Sequence, residues 1–174
     1  MADFKVLISQ EEIETRIKEI ANQIDQDYQG KKVTLICILK GAFIFLTDLV
    51  RNINKNDIII EFMAVSSYGN EKRSSGKIKI IKDVDRDLTD EHIIIVEDIV
   101  DTGLTIDFLI KYFNNKGVAS VKTCSLLDKA VCRKIDVPVD YSGFTIEDRF
   151  VIGYGLDLAQ EYRNLPYVAE IKED

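Results

Sequence analysis

Residues 93–105 read IIIVEDIVDTGLT. Four β-branched residues in a row, Ile93 to Val96, suit a short strand buried on both faces of a sheet. Two adjacent carboxylates follow, Glu97 and Asp98, and two apolar residues later a third, Asp101. A buried carboxylate is costly unless it is paired, hydrogen-bonded or bound to a cation. The expectation is a central strand over 93–96 that ends in two acids where the next helix begins. In DTGLT, Gly103 allows backbone conformations closed to other residues. The hydroxyls of Thr102 and Thr105, with the free N–H groups of a helix N-terminus, suit an anion, and phosphate is the natural occupant. The acids just upstream would hold hydroxyls, a cation, or both. Taken singly, each acid reads as an N-cap or a solvated edge residue, and a bare [ST]GxT is common. The stretch is not a P-loop, because GxxxxGK[ST] is absent. The ordered whole carries the signal.

Working outward, LTIDFLIKYFNNKG at 104–117 has the pattern of a helix with Gly117 as its C-cap. Upstream, Ser9 and Glu12 are spaced as a capping box, and Ile13, Ile17, Ile20 and Ile24 mark one helical face. VTLICIL at 33–39 reads as a strand buried on both faces, Lys40 and Gly41 punctuate it, and AFIFLTDLVRNI follows as a helix. IIIEFMAV at 58–65 is a further strand. SSYGNEKRSSGK at 66–77 is polar, with two glycines and no apolar period, and reads as a long loop or hairpin. KIKIIK alternates beyond it. VKTCSLL at 121–127, VDYSGFTI and RFVIGY supply the last extended pieces. Strands alternating with helices predict a mostly parallel, doubly wound α/β sheet, in which ligands collect at the carboxyl ends of the strands.

The chain has 174 residues, 46% hydrophobic and 30% charged, enough for one domain with a real core. Thirty acids against 23 bases give a net charge of -7, which argues against nucleic acid or an anionic membrane as the main partner. A small phosphorylated ligand stays possible, because a local nest of N–H groups or a bound metal can reverse the field. Cys37, Cys124 and Cys132 follow no CxxC spacing, and Cys37 and Cys124 sit inside apolar strands. With His92 as the single histidine, a zinc site is not expected. No signal peptide or membrane-length apolar run is present, so a cytoplasmic, reducing setting is expected.

VEDIVDTGLT closely resembles the phosphoribosyl pyrophosphate signature of the type I phosphoribosyltransferases. That resemblance implies a type I phosphoribosyltransferase fold: a mostly parallel doubly wound sheet flanked by helices, a flexible lid over 66–77, and a small purine hood drawn from 128–174. It implies that Glu97 and Asp98 engage the ribose hydroxyls and their Mg2+. Thr102, Gly103, Leu104 and Thr105 would cradle the 5-phosphate, and Asp101 would lie beside the incoming base.

Three further stretches resemble one subfamily, the hypoxanthine-guanine phosphoribosyltransferases. LKG at 39–41 is similar to its pyrophosphate loop, implying that the backbone of Lys40 and Gly41 meets the leaving group. SSYG at 66–69 is similar to the start of its lid, with Ser67 and Tyr68 closing over the site. FVIGYGLDLAQEYRNLPYVA at 150–169 is close to its purine and metal segment. Piece by piece this makes physical sense. Phe150 can stack on a flat ring, and the carbonyl of Val151 can accept from the purine. Asp157 suits magnesium on pyrophosphate, and Arg163 is a fork suited to phosphate. Lys129 can donate to the carbonyl at C6 of a 6-oxopurine, where adenine would present an amine. Taken alone, Phe150 would read as core, Lys129 and Arg163 as surface charges and Asp157 as a helix cap. Glu71 and Lys72 depart from the subfamily's usual lid, and Leu158 stands where an aromatic is frequent.

The resemblance implies transfer of a 5-phosphoribosyl group to hypoxanthine or guanine, with Asp101 as general base and magnesium on the leaving pyrophosphate. It also implies a homodimer or homotetramer, and Phe43, Ile44 and Phe45 suit either a core or an interface. Two alternatives are a xanthine-preferring relative and a nucleic-acid-binding regulator of the same fold. The acidic balance and the acceptor set of Asp101, Lys129 and Phe150 speak against the regulator.

Overall fold

The alternation of buried apolar runs with amphipathic helices builds the sheet as expected. A computed structural model of the chain describes residues 4–54, 57–68 and 77–171. Helix α1 (Gln10–Asp27) opens on the expected capping box: the Ser9 side chain accepts from the Glu12 N–H, and the Glu12 carboxylate accepts from the Ser9 N–H at 2.8 Å. Its four predicted isoleucines are all buried. Strand β2 (Val33–Leu39) is followed by α2 (Phe43–Asn52) and β3 (Ile58–Tyr68), then β4 (Lys77–Lys82). Strand β5 (His92–Val100), α3 (Leu104–Asn115), β6 (Ser120–Asp128) and β7 (Tyr141–Thr145) complete the main layer. The 66–77 stretch is thus entered and left through a hairpin: Ser66 to Tyr68 extend β3, Lys77 starts β4, and the two pair antiparallel. The lid residues Glu71 and Lys72 lie outside the described residues, as do the side chains of Ser67 and Tyr68.

The six-stranded sheet runs β4-β3-β2-β5-β6-β7, all parallel except for β4. Strand β2 crosses over to β3 on one side and β5 to β6 on the other, so the topological switch point lies between β2 and β5. Both central strands are buried on both faces, as an all-apolar run requires. Leu35, Cys37, Ile94 and Val96 pack toward α1 and α2. Ile36, Ile38, Ile93 and Ile95 join the cluster under α3 that contains Ile106, Leu109 and Phe113.

A second, three-stranded antiparallel sheet has the order β1-β9-β8, from β1 (Phe4–Ile8), β8 (Val151–Ile152) and β9 (Val168–Ile171). It forms a small hood beside the carboxyl ends of the main strands. The hood expected from 128–174 thus also includes Phe4–Ile8, where no strand is expected from the sequence pattern. The N-terminal strand pairs there with β9, Phe4 against Ile171 and Lys5 against Glu170.

Candidate active site

The expected end of the central strand at Val96 is corrected by the ladder itself. Strand β5 pairs with β2 only as far as Val96, opposite Cys37, but with β6 as far as Val100, opposite Asp128. Glu97 and Asp98 therefore lie within the strand, held by β6 on one side and facing a gap left by β2 on the other. The next helix begins at Leu104, not directly after the acids. The gap is a cleft of about 360 Å³ at the switch point.

Ten of the predicted site residues line that cleft: Lys40, Gly41, Glu97, Asp98, Asp101, Thr102, Gly103, Thr105, Asp157 and Arg163. Leu104, Lys129, Phe150 and Val151 do not. Lys129 is 8% exposed; its N–H donates to the Val100 carbonyl at 2.9 Å and its ammonium to Asp148 at 3.2 Å. Val151 is buried in β8 against β9, whereas Phe150 is 58% exposed.

Gly41 is a glycine for a visible reason. A Cβ placed there would sit 1.5 Å from Asp98 Oδ2, so the loop after β2 and the carboxylate of β5 share one space. On the other side of the same loop, a Cβ at Gly155 would meet the Gly41 carbonyl oxygen at 2.0 Å. The turns after β8, residues 153–165, form an arm of the hood that packs this loop against Asp98. The Leu39–Lys40 peptide in this loop is cis. Tyr154 anchors the arm to α2 by donating to Asp48 at 2.5 Å.

The acids carry the electrostatic cost that their sequence context implied. Burial holds the Glu97 carboxyl well above the usual range, and the neighbouring Asp98 adds to the rise. Burial likewise raises Asp98, offset in part by the Ile99 N–H, which donates to its Oδ1 at 2.8 Å, and by the Arg163 charge. The thiol of Cys37, buried nearby, is pushed up to about 12 by burial and by both acids, as suits a core cysteine. Two adjacent carboxylates, Glu97 buried and Asp98 half-buried, that resist ionising together are a donor set suited to a hard dication and to ribose hydroxyls. Among the described residues, no three His, Cys, Asp or Glu side chains converge to hold a metal ion by themselves. A cation at Glu97 and Asp98 would therefore complete its shell from substrate oxygens and water.

Asp157, the third expected metal ligand, is paired with Arg163 at 2.7 Å and also accepts from the Gln160 N–H at 2.7 Å. Arg163 in turn donates to the Gly155 carbonyl at 2.6 Å. Gln160 Oε1 accepts from both Lys40 Nζ, at 3.1 Å, and Arg163, at 3.3 Å, so one amide joins the side chains of two residues expected at the pyrophosphate, Lys40 there through its backbone. Neither residue sits in a helix; the arm is built of turns, with left-handed backbone at Ala159, Gln160 and Tyr162.

At the phosphate turn, Gly103 has φ +85 and a Cβ there would meet the Ile135 carbonyl at 2.5 Å. As N-cap of α3 it offers no side chain to the helix; the Leu104 N–H donates to the Thr102 hydroxyl at 3.4 Å, and Thr105 and Ile106 of the first turn line the cleft. Sequence reasoning missed Gly155, Gln160 and Arg133, the last of which backs this turn. The glycine pair of GYG inside an apolar run was an available sign of close backbone approach. Gln160 and Arg133 gave no local signal.

A switch-point cleft that joins paired acids to an anion-binding turn defines a class before it defines a protein. Residues 7–159 match the phosphoribosyl transferase domain family. The hypoxanthine-guanine phosphoribosyltransferase of Bacillus subtilis (strain 168) is 46% identical over 168 residues, covering 97% of this chain and 93% of that protein. The enzyme of the same name from Dictyostelium discoideum is 44% identical over 173 residues, covering 98% and 96%. A crystal structure of a hypoxanthine-guanine phosphoribosyltransferase from Bacillus anthracis superposes with a TM-score of 0.93 at 44% identity, covering 99% of this chain and all of that one. The chain belongs to the phosphoribosyltransferase family, in its hypoxanthine-guanine branch.

Proposed function

We propose that this enzyme salvages purines by transferring the 5-phosphoribosyl group of phosphoribosyl pyrophosphate to N9 of hypoxanthine or guanine, giving the nucleotide and pyrophosphate. The observation that carries the site reading is the convergence of β2, β5, the α3 N-terminus and the hood arm on one cleft at the switch point.

In this reading the helix N–H groups and the hydroxyls of Thr102 and Thr105 hold the 5-phosphate. Glu97 and Asp98 accept from the ribose hydroxyls. Glu97, Asp98 and Asp157 would hold magnesium, which when bound would supply charge neutralisation for the pyrophosphate. As the C1–O bond to pyrophosphate breaks, positive charge grows on the sugar and negative charge on the leaving group. Arg163 and the backbone at Lys40 and Gly41 lie on the leaving-group side and supply fixed positive potential there. Asp101, exposed at the mouth of the cleft, accepts or shares the proton at N7 while N9 attacks. Lys129 donates to O6, Phe150 stacks on the ring, and the Val151 carbonyl accepts from its edge. Ser67 and Tyr68, on the hairpin that borders the cleft, close over the reactants and exclude water.

The setting is cytoplasmic in this reading; among the described residues no helix is long and apolar enough to cross a membrane. The active form is a homodimer or homotetramer. Phe45 is core, but Phe43 of α2, Ile60 and Phe62 of β3 and Ile81 of β4 are exposed apolar side chains, which suit contact with a second copy. Sedimentation of the purified protein as a monomer would remove that part.

The activity is tested by incubating the protein with donor, magnesium and hypoxanthine, guanine, xanthine or adenine in separate reactions. IMP and GMP are the expected products, with little from adenine. Asp101→Asn should lower turnover by about 10²–10⁴-fold while donor affinity is mostly kept; nearly full turnover would remove Asp101 from the role of base.

A further inference from the structure

Behind the phosphate turn, on the side away from the cleft, Arg133 makes an arrangement that no motif announces. Its guanidinium donates to two successive main-chain carbonyls of the loop, Val100 at 2.9 Å and Asp101 at 2.5 Å. Its other arm pairs with Asp128, the last residue of β6, and both side chains are largely buried. The side-chain stem lies against the turn as well: a Cβ on Gly103 would come within 3.4 Å of Arg133 Cδ. The next two residues continue the grip, since the N–H groups of Lys134 and Ile135 both donate to the Thr102 carbonyl, at 2.9 and 3.2 Å. Every carbonyl from Val100 to Thr102 is thus held from behind by the segment 133–135.

We infer that Arg133, locked by Asp128, is a positioning residue that sets the geometry of the Val100–Thr105 loop, and with it the purine-facing carboxylate and the 5-phosphate cradle. The inference rests on the proposed roles of Asp101 and the phosphate turn. The physical reason is that this loop leaves the sheet at Val100 and has no ladder beyond it. A loop that offers N–H groups to a ligand is best fixed through its carbonyls, and here Val100, Asp101 and Thr102 are all held that way. A guanidinium suits this because it donates two hydrogen bonds at once in a planar fork and retains a third direction for an anchor. A lysine also has three donors, but they sit on one nitrogen and lack the planar fork that reaches both carbonyls and Asp128.

The test uses Arg133→Met, which keeps most of the stem, Arg133→Lys, which keeps the charge, and Asp128→Asn, which frees the fork from its anchor. IMP affinity is read by calorimetry and steady-state constants are taken in parallel. Arg133→Met should weaken IMP binding by about 10- to 100-fold, the range expected for losing charge-assisted hydrogen bonds, and lower kcat by a comparable factor. Arg133→Lys and Asp128→Asn should fall between it and the parent. A scaffold role alone would lower Tm and leave IMP affinity and kcat of the folded protein unchanged. That outcome, or IMP affinity within about twofold of the parent in Arg133→Met, overturns the inference. Repeating the kcat measurement in an Asp101→Asn background separates the two readings. A much smaller further loss there assigns the kcat effect to placement of Asp101. If Asp101→Asn itself keeps full turnover, the base assignment fails, and the IMP affinities still decide the role of Arg133.

Discussion

Replacing Gly41 by alanine tests the site through a single methyl group. Gly41 does not use the left-handed backbone region, so alanine can adopt its conformation. The obstacle is steric: the new Cβ would lie 1.5 Å from Asp98 Oδ2 and 2.5 Å from its Cγ. Ordinary contact between such atoms begins near 3.4 Å, so the carboxylate or the loop must retreat by about 2 Å. The loop has little room, because Gly155 of the hood arm already touches the Gly41 carbonyl. The carboxylate is therefore expected to give way, losing its hydrogen bond from the Ile99 N–H and moving from its place beside Glu97. A displacement of 1 Å from productive geometry can cost roughly 10²-fold in rate. We expect kcat/KM for the donor to fall by at least about 10²-fold, close to 3 kcal/mol of transition-state stabilisation. Overpacking should also cost about 1–3 kcal/mol of stability. The assay is steady-state kinetics with hypoxanthine at varied donor, with Tm measured alongside. The decisive comparison is the double variant with Asp98→Ala, in which the space is vacated and the added methyl should cost less than about threefold beyond Asp98→Ala alone. Activity of Gly41→Ala within about threefold of the parent, or an equal penalty in both backgrounds, would refute the shared-space argument.

Other outcomes follow from the charges. Glu97 and Asp98 have folded pKa values above their unfolded ones, so the folded chain binds more protons and stability falls as pH rises from the ordinary carboxylate range through the raised values. Glu97→Gln, with no proton to lose, should flatten that fall and raise Tm at pH 7 by about 3 °C or more, while donor-dependent turnover collapses; an unchanged Tm–pH curve would contradict it. At the amino ends of the strands, Arg86 donates to Glu61 at 2.8 Å, to Glu91 and to Thr34 at 2.8 Å. Arg86→Met strands two partly buried carboxylates and should cost about 2 kcal/mol in urea unfolding, discounted for their partial exposure, with KM and kcat unchanged. Gly103→Ala combines a left-handed φ with a 2.5 Å clash on the Ile135 carbonyl, and should weaken IMP binding by about tenfold or more, read by calorimetry.

The sheet was legible because its signals are local. VTLICIL and IIIV are apolar on both faces, and the structure divides each between the two core clusters. The capping box at Ser9 and Glu12 and the αL Gly117 after α3 are likewise written within four residues of the feature they control. The length of β5 was not legible, because Glu97 and Asp98 are poor strand formers and only the β6 ladder keeps them extended. The hood escaped in part for the same reason: β1 is a short segment, FKVLI, without clear alternation, and its partner lies at the far end of the chain. Arg133 and Gln160 were invisible because their role is to touch carbonyls and cations brought near by folding, and a lone arginine or glutamine carries no spacing that reports it.

The placement of the acids explains why a strand so apolar ends as it does. A carboxylate pair in the middle of β5, flanked by β2 and β6, would be buried without recourse. Past the end of the sheet it would be solvated and would bind weakly. Pairing with β2 ends at Val96 while pairing with β6 continues to Val100, so the pair occupies the interval between these two states. There the carboxylates are fixed by a rigid strand, shielded from water and open on one side. Burial raises their pKa values, and that unfavourable state is what a dication or a set of hydroxyl donors relieves on arrival. The core under α1, α2 and α3 offsets the cost while the cleft is unfilled. The glycine at 41 then follows from the sheet as a necessity: with the carboxylate aimed across the gap, the opposing loop has space for a backbone and nothing more.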